Sequence, residues 1–183
     1  MIKEYVDAWF RNRDKLKKYF ETHTQEQYGQ NYTDMLKTII KVIINDPEEI
    51  LDETRIIERD LTDYYQGDYI WLIPRKNEYY DEPTVVDCVF CYVKYGSCCG
   101  CDTLMGIYEG FGEDNQWGEG LLPSERRVKD YMYLSLQLLQ NMKPLMTLEE
   151  ARQNYEIKYE DSYNNSDYLQ KARKYGHFTG YKN

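Results

Sequence analysis

Hydrophobic side chains recur every three to four residues in three stretches of the chain, which predicts three amphipathic helices. The first helix covers residues 2–21, and the second covers about 33–45. The third is the longest, at about 123–142, with Pro123 in its first turn and Pro144 closing it. Between the second and third helices the pattern changes.

Three segments of this central region are rich in β-branched and aromatic residues, which is typical of strands. They lie at about 55–61, 68–74 and 84–95. Turn residues between the first two segments predict a β-hairpin, and Pro74 either ends its second strand or places that strand at an edge of the sheet. Short connections between successive strands favour an antiparallel meander with helices on one face.

A chain of 183 residues can bury a substantial core without a metal or a disulfide. We therefore predict a single α+β domain over residues 1–183. In this domain a three-stranded antiparallel sheet packs against the N-terminal helices and the long helix. A Tyr-rich C-terminal extension is expected from about residue 147, where Thr147-Leu-Glu-Glu150 matches a helix capping box.

The net charge of −9 argues against binding of a nucleic-acid backbone as the main activity, since such binding needs a basic surface. It permits the binding of a basic protein as the partner, or it simply keeps the chain in solution. The acidic residues concentrate in 46–68, where nine carboxylates face only Arg55 and Arg59. The N-terminus has no signal-peptide pattern, and no apolar run is long enough to span a membrane. We therefore expect a cytoplasmic protein.

Aromatic residues add to this predicted contact surface. The chain has 20 Tyr and only five Phe, and Tyr combines apolar area with a polar tip. A Gly-rich loop at 109–120 carries two further aromatic residues and lacks the Lys-Ser/Thr of a phosphate-binding loop. The residues predicted to contact a partner are Glu48, Glu49, Asp52, Glu53, Glu58, Asp60, Asp63, Tyr64, Tyr65, Asp68, Phe111 and Trp117.

All five cysteines lie between residues 84 and 105 and form two Cys-x-x-Cys pairs, Cys88/Cys91 and Cys98/Cys101. Four converging thiolates would suit zinc. However, residues three apart on a regular strand point to opposite faces, which argues against Cys88 and Cys91 as joint ligands. Thiol redox chemistry at the second pair is another reading.

The third reading of the cysteine segment is a tight turn. Gly96 and Gly100 would supply unusual backbone angles, and Asp102 would cap the helix that follows. No histidine is placed beside a thiol by the sequence, so Cys–His catalysis has no support. We expect no cofactor and no catalytic residue.

The segment Tyr95-Gly-Ser-Cys-Cys-Gly-Cys-Asp-Thr-Leu104 resembles a motif, YGSC-x-GCDTL, of small phage and prophage proteins of Gram-positive bacteria whose activity is uncharacterised. The resemblance extends over about residues 1–145, with Tyr65-Gln-Gly-Asp-Tyr-Ile-Trp71 and Lys129-Asp-Tyr-Met-Tyr-Leu134 in similar order. The decamer is its specific part. The motif residues are Tyr95, Gly96, Ser97, Cys98, Gly100, Cys101, Asp102 and Thr103.

The resemblance implies a phage origin, and charge and composition then suggest the function. We predict a protein that binds and inhibits a nucleic-acid enzyme of the host by mimicking nucleic acid, with a CRISPR nuclease such as Cas9 as the specific candidate. One alternative is a zinc- or thiol-dependent enzyme centred on the Cys98/Cys101 turn. A structural or assembly component of the phage particle is another.

Overall fold

The computed structural model describes residues 2–28, 31–63, 65–76, 87–98, 100–109 and 121–144. Within these ranges the chain has an α+β fold, in which an antiparallel sheet packs against an N-terminal helix and a helix near 125–141. The Gly-rich loop and the predicted extension from about residue 147 lie outside the described residues.

In chain order the described elements are α1 (Ile2–Thr22), α2 (Gln25–Tyr28), α3 (Tyr32–Ile39), a π-helical turn (Ile40–Ile44), β1 (Ile57–Asp63), β2 (Gln66–Pro74), β3 (Cys88–Gly96), α4 (Thr103–Glu109), α5 (Glu125–Asn141) and β4 (Lys143–Pro144). Within the described residues the sheet has four strands in the order β1-β2-β3-β4, and every neighbouring pair is antiparallel.

The fourth strand corrects the prediction of three. Lys143 and Pro144 pair with Phe90 and Val89, so the chain leaves α5 and immediately joins the sheet. Proline has no amide hydrogen to donate, and it is therefore tolerated on an outer strand. A strand of two residues has no alternating pattern that the sequence could reveal.

Helix α5 begins later than predicted because Ser124 caps it. The Ser124 side chain accepts a hydrogen bond from Arg127 N at 3.2 Å, and Glu125 is the first helical residue. Pro123 therefore precedes the cap, whereas we predicted it within the first turn. An N-cap serine of this kind satisfies an amide that the helix itself leaves without a partner.

The second predicted helix ends differently from an α-helix. After Ile39 the turn widens, and Asn45 N donates to Ile40 O at 2.8 Å, the spacing of a π-helix. Ile40 and Ile43 are nonetheless completely buried. Apolar spacing alone does not distinguish the two turn types, so the sequence predicted one continuous helix over 33–45.

One hydrophobic core joins the helices to one face of the sheet. Trp71, Ile73 and Cys91 project from β2 and β3 into this core, where Phe20 and Leu138 contribute from α1 and α5. Residues alternate along a strand, and the register places Ile57 and Phe90 with Leu72 on the opposite face. The strand register thus decides which acidic side chains lie on the helix-covered side.

Candidate partner-binding site

A buried side chain, Asn45, holds the acidic loop that follows the π-helical turn. Its Oδ1 accepts hydrogen bonds from Ile50 N at 3.0 Å and from Leu51 N at 2.9 Å. Its Nδ2 donates to Leu51 O at 2.7 Å and to Glu53 at 3.2 Å. Glu53 is half-buried as a result, and the loop is fixed to the end of the helix.

Three carboxylates of this segment form ion pairs with cations from the same chain. The pairs are Lys15 with Asp46, Lys76 with Glu49, and Arg55 with Asp52. Exposed ion pairs contribute little to stability, but each one lowers the negative charge presented at its position. The acidic surface predicted over 46–68 is therefore divided, and its first half is partly neutralised. Glu48 is exposed in this half.

Asp52 stabilises a turn and contributes little surface, since the residue is only 9% exposed. Its Oδ1 accepts from Thr54 N at 3.0 Å and Thr54 Oγ1 at 2.6 Å, and its Oδ2 accepts from Arg55 Nε at 2.6 Å. Arg55 thus belongs to this turn, and β1 begins at Ile57, two residues later than predicted. Burial raises the pKa of Asp52, but the bonds from Thr54 and Arg55 outweigh it and hold the pKa below its ordinary value.

Replacing Asp52 by asparagine should lower the free energy of unfolding at neutral pH by about 1–2 kcal/mol, because charge-assisted hydrogen bonds are lost. A carboxylate whose folded pKa is depressed stabilises the protein fully above its unfolded pKa, and that stabilisation is lost as the pH falls through the folded pKa. The stability gap between wild type and variant should therefore close below about pH 4. Urea unfolding of both proteins between pH 7 and pH 3 measures this gap. A gap that stays constant would rule out the proposed origin of the pKa shift.

Glu58 and Asp60 are exposed on β1 and lie on the same side of the strand. The register places them opposite Trp71 and Tyr69 of β2. Two residues i and i+2 on a strand point to one face, so the two carboxylates lie side by side next to aromatic rings.

Hydroxyl groups orient both carboxylates. The Tyr95 phenol donates to Asp60 Oδ1 at 2.5 Å. The Thr33 hydroxyl donates to Glu58 and accepts a hydrogen bond from Trp71 Nε1 at 2.7 Å. Because a hydroxyl carries no charge, these two bonds hold the carboxylates in place and add no positive charge of their own.

Tyr69 lies at the centre of an aromatic cluster next to these carboxylates on the same face of the sheet. Its ring centroid is 4.6 Å from that of Tyr95, 5.7 Å from that of Trp71 and 5.9 Å from that of Tyr32. Burial raises the pKa of Tyr69, and the neighbouring charge of Asp60 raises it further. We call Glu58, Asp60, Tyr69 and Tyr95 the acidic–aromatic patch.

The turn formed by the motif residues 95–104, here called the motif turn, supplies Tyr95 to this patch and anchors the patch to the core. The Tyr95 ring packs directly over Gly67. A Cβ added at Gly67 would come within 2.5 Å of this ring, so any side chain at position 67 would displace the Tyr95 ring. At the other end of the turn Asp102 is buried, and its Oδ1 accepts from Met105 N at 2.7 Å. Asp102 therefore caps α4, as predicted. It also accepts from the Tyr32 hydroxyl at 3.3 Å, which links the turn to α3.

The rest of the motif connects β3 to α4. Gly96 ends β3 and is buried, Ser97 and Cys98 are exposed, and Thr103 is the first residue of α4. Gly96 is needed for a reason other than the one we predicted. A Cβ there would lie 2.7 Å from Cys101 Cβ, so the glycine permits close packing. At Gly100 a Cβ would meet Cys98 Sγ at 4.0 Å, an ordinary van der Waals contact, and neither glycine has the left-handed backbone that we predicted.

The four described cysteines do not converge. Cys88 and Cys91 project from opposite faces of β3, as the odd spacing predicted, and both are buried. Cys98 and Cys101 lie beyond the end of the strand and are exposed. Among the described residues no group of three or more His, Cys, Asp or Glu side chains is arranged to hold a metal ion.

Two of the remaining predicted contact residues, Tyr65 and Asp68, do not join the acidic–aromatic patch. Tyr65 is exposed at the hairpin, and Asp68 lies opposite Lys94 on the other face of the sheet. Tyr64, Phe111 and Trp117 lie outside the described residues, as does the side chain of Asp63. Their predicted role in binding stays a prediction.

Sequence reasoning missed Tyr32, Thr33, Tyr69 and Trp71 as parts of this site. Tyr69 and Trp71 alternate along β2, so a predicted register would have placed them opposite Asp60 and Glu58. Thr33 and Tyr32 come from a helix, and no signal in the sequence connects them to the sheet.

Comparison of the chain with protein-family models, curated proteins and solved structures finds no match. In the part of the chain that the structure describes, no helix has the length and apolar character needed to cross a membrane. The functional argument therefore rests on the geometry of the acidic–aromatic patch.

Proposed function

We propose that this chain binds and inhibits a nucleic-acid enzyme of a bacterial host, as a phage-encoded mimic of nucleic acid. The observation that carries the proposal is the placement of Glu58 and Asp60, two exposed carboxylates on one side of β1, next to the aromatic residues of β2. Carboxylates attract Arg and Lys, and aromatic faces add cation–π attraction. Arg and Lys line the grooves with which proteins bind the nucleic-acid backbone.

The hydrogen bonds that hold Glu58 and Asp60 favour this surface as the contact site within the acidic segment. Asp46, Glu49 and Asp52 already contact cations of their own chain. A partner would have to compete with those contacts. The Tyr95 and Thr33 hydroxyls hold Asp60 and Glu58 in place, so these carboxylates need little rearrangement to receive a guanidinium. The net charge of −9 would also steer a basic partner toward the chain.

Of the residues predicted to contact a partner, the proposal retains Glu58 and Asp60, which lie on the edge strand β1. The resemblance of the Tyr95–Leu104 segment to phage proteins is the basis for a host target, and the side-by-side carboxylates are the basis for a basic one. A CRISPR nuclease such as Cas9 is the specific target that we propose to test first, because its nucleic-acid channel is positively charged.

An affinity capture from a Gram-positive host lysate tests the proposed function. The immobilised chain should retain a basic nucleic-acid-binding protein at low salt and release it as salt rises, since charge holds the complex. Added DNA or guide RNA should compete with the chain for the captured protein. Retention of an acidic partner, or a complex that binds nucleic acid and the chain together, would contradict the proposal. Co-purification with phage particles alone would favour the assembly component.

A further inference from the structure

Cys98 and Cys101 form a surface dithiol that the proposed function does not use. Both are exposed, and their Sγ atoms lie 2.8 Å apart. A disulfide bond measures about 2.05 Å, so a small movement of the side chains would bring the two sulfur atoms to bonding distance.

The backbone already holds the two cysteines together. Cys101 N and Asp102 N both donate to Cys98 O, at 2.9 Å and 2.8 Å. In the reverse direction, Cys98 N donates to Cys101 Sγ at 3.2 Å. The spacing of the two cysteines is therefore set by the turn, and closing a disulfide would not require the chain to refold.

Gly96 contributes to this arrangement. A Cβ at this position would come within 2.7 Å of both Cys101 Cβ and Cys101 O. Because real carbon atoms do not approach so closely, any larger residue would push Cys101 out of its place beside Cys98. The glycine of the motif thus has a role in pairing the thiols.

The other two described cysteines differ from this pair in burial, although the hydrogen bond with Cys98 raises the pKa of Cys101 as well. Cys88 and Cys91 are buried on opposite faces of β3, and burial raises their pKa to about 11 and about 12. The Cys91 thiol is also a hydrogen-bond donor to Leu138 O. Buried thiols with raised pKa values react slowly, so these two serve as internal references.

We propose that Cys98 and Cys101 are a modification site at which a peroxide forms a reversible intramolecular disulfide. One sulfur attacks a peroxide oxygen and becomes a sulfenic acid, with release of water. The second thiol then attacks that sulfur, the S–O bond breaks, and a second water leaves. In total two thiols lose two protons and two electrons, and one peroxide becomes two waters. An added dithiol reverses the reaction by exchange.

Hydrogen peroxide added to the purified, reduced chain tests this proposal. Intact mass should fall by two hydrogen atoms, iodoacetamide added after unfolding in denaturant should then label three of the five cysteines, and a peptide map should show Cys98 linked to Cys101. A reducing agent should restore all five labels. This readout does not depend on partner binding, so its failure would leave the proposed function untouched.

Serine variants assign the bond. Cys98→Ser and Cys101→Ser should each abolish the intramolecular link, whereas the adjacent Cys99→Ser should keep it. The peptide map of the wild-type chain gives the same assignment even if a variant fails to fold. A bond that uses Cys99, a cross-link between two chains, or sulfinic acid at Cys98 without any disulfide would overturn the proposal.

Discussion

Replacing Trp71 by alanine should lower the free energy of unfolding by about 3–5 kcal/mol, the cost of truncating a large buried side chain. Trp71 is completely buried, and its ring is nearly parallel to that of Tyr69, with 5.7 Å between centroids. The substitution leaves a cavity between the sheet and the helices. It also removes the indole donor that Thr33 accepts from. Urea unfolding, with the midpoint and the slope both recorded, measures the loss.

Phe10 provides a matched control for this loss. It is also aromatic, but it is 63% exposed on α1. Phe10→Ala should therefore change the free energy of unfolding by about 0.5 kcal/mol or less. Similar losses in the two variants would mean that the core does not lie between the helices and this face of the sheet.

A more conservative change separates packing from hydrogen bonding at the same position. Trp71→Phe keeps most of the apolar contact and loses the bond to Thr33, which in turn orients Glu58. The expected loss is about 1–2 kcal/mol.

The elements whose pattern is strong and local could be predicted from the sequence. Helix α1 was expected at 2–21 and spans Ile2–Thr22, because its apolar spacing continues without interruption. Strand β2 was expected at 68–74 and spans Gln66–Pro74, since proline cannot extend a central strand. The described part of β3 begins at Cys88, and residues 84–86 of the predicted strand lie outside the described ranges.

The elements that depend on distant contacts could not be predicted. Strand β4 exists because Lys143 and Pro144 meet β3, a pairing between residues more than fifty positions apart. The ion pair of Lys15 with Asp46 likewise joins α1 to a loop that is remote in sequence. Counting charges within one segment cannot show which of them will be neutralised from elsewhere in the chain.

The candidate site was likewise predictable in its local parts, but not in how those parts come together. The acidic segment and the motif turn were both predicted, but as separate features. The pairing of β2 with both β1 and β3 brings Asp60 and Tyr95 together, 35 residues apart. A strand register is set by the whole sheet, and a shift of one residue would move Glu58 and Asp60 to the opposite face.

Removing the two patch charges should weaken partner binding at least about thirtyfold, or about 2 kcal/mol, because two contacts with cations of the partner are lost. Glu58→Gln with Asp60→Asn is the sharpest variant. Both amides still accept the hydrogen bonds from Thr33 and Tyr95, so the fold of the patch is preserved. The matched control is Glu4→Gln with Asp7→Asn, which removes the same charge from exposed positions on α1.

The affinity of these two double variants for the captured basic partner, measured at one fixed salt concentration, tests the central claim most directly. The account predicts the thirtyfold loss for the patch variant and less than about a threefold change for the α1 control, since a distant exposed charge is screened. Equal affinities of the patch variant and the wild type would contradict it. Equal losses in the two variants would show that overall charge, and not the surface around Glu58 and Asp60, holds the partner.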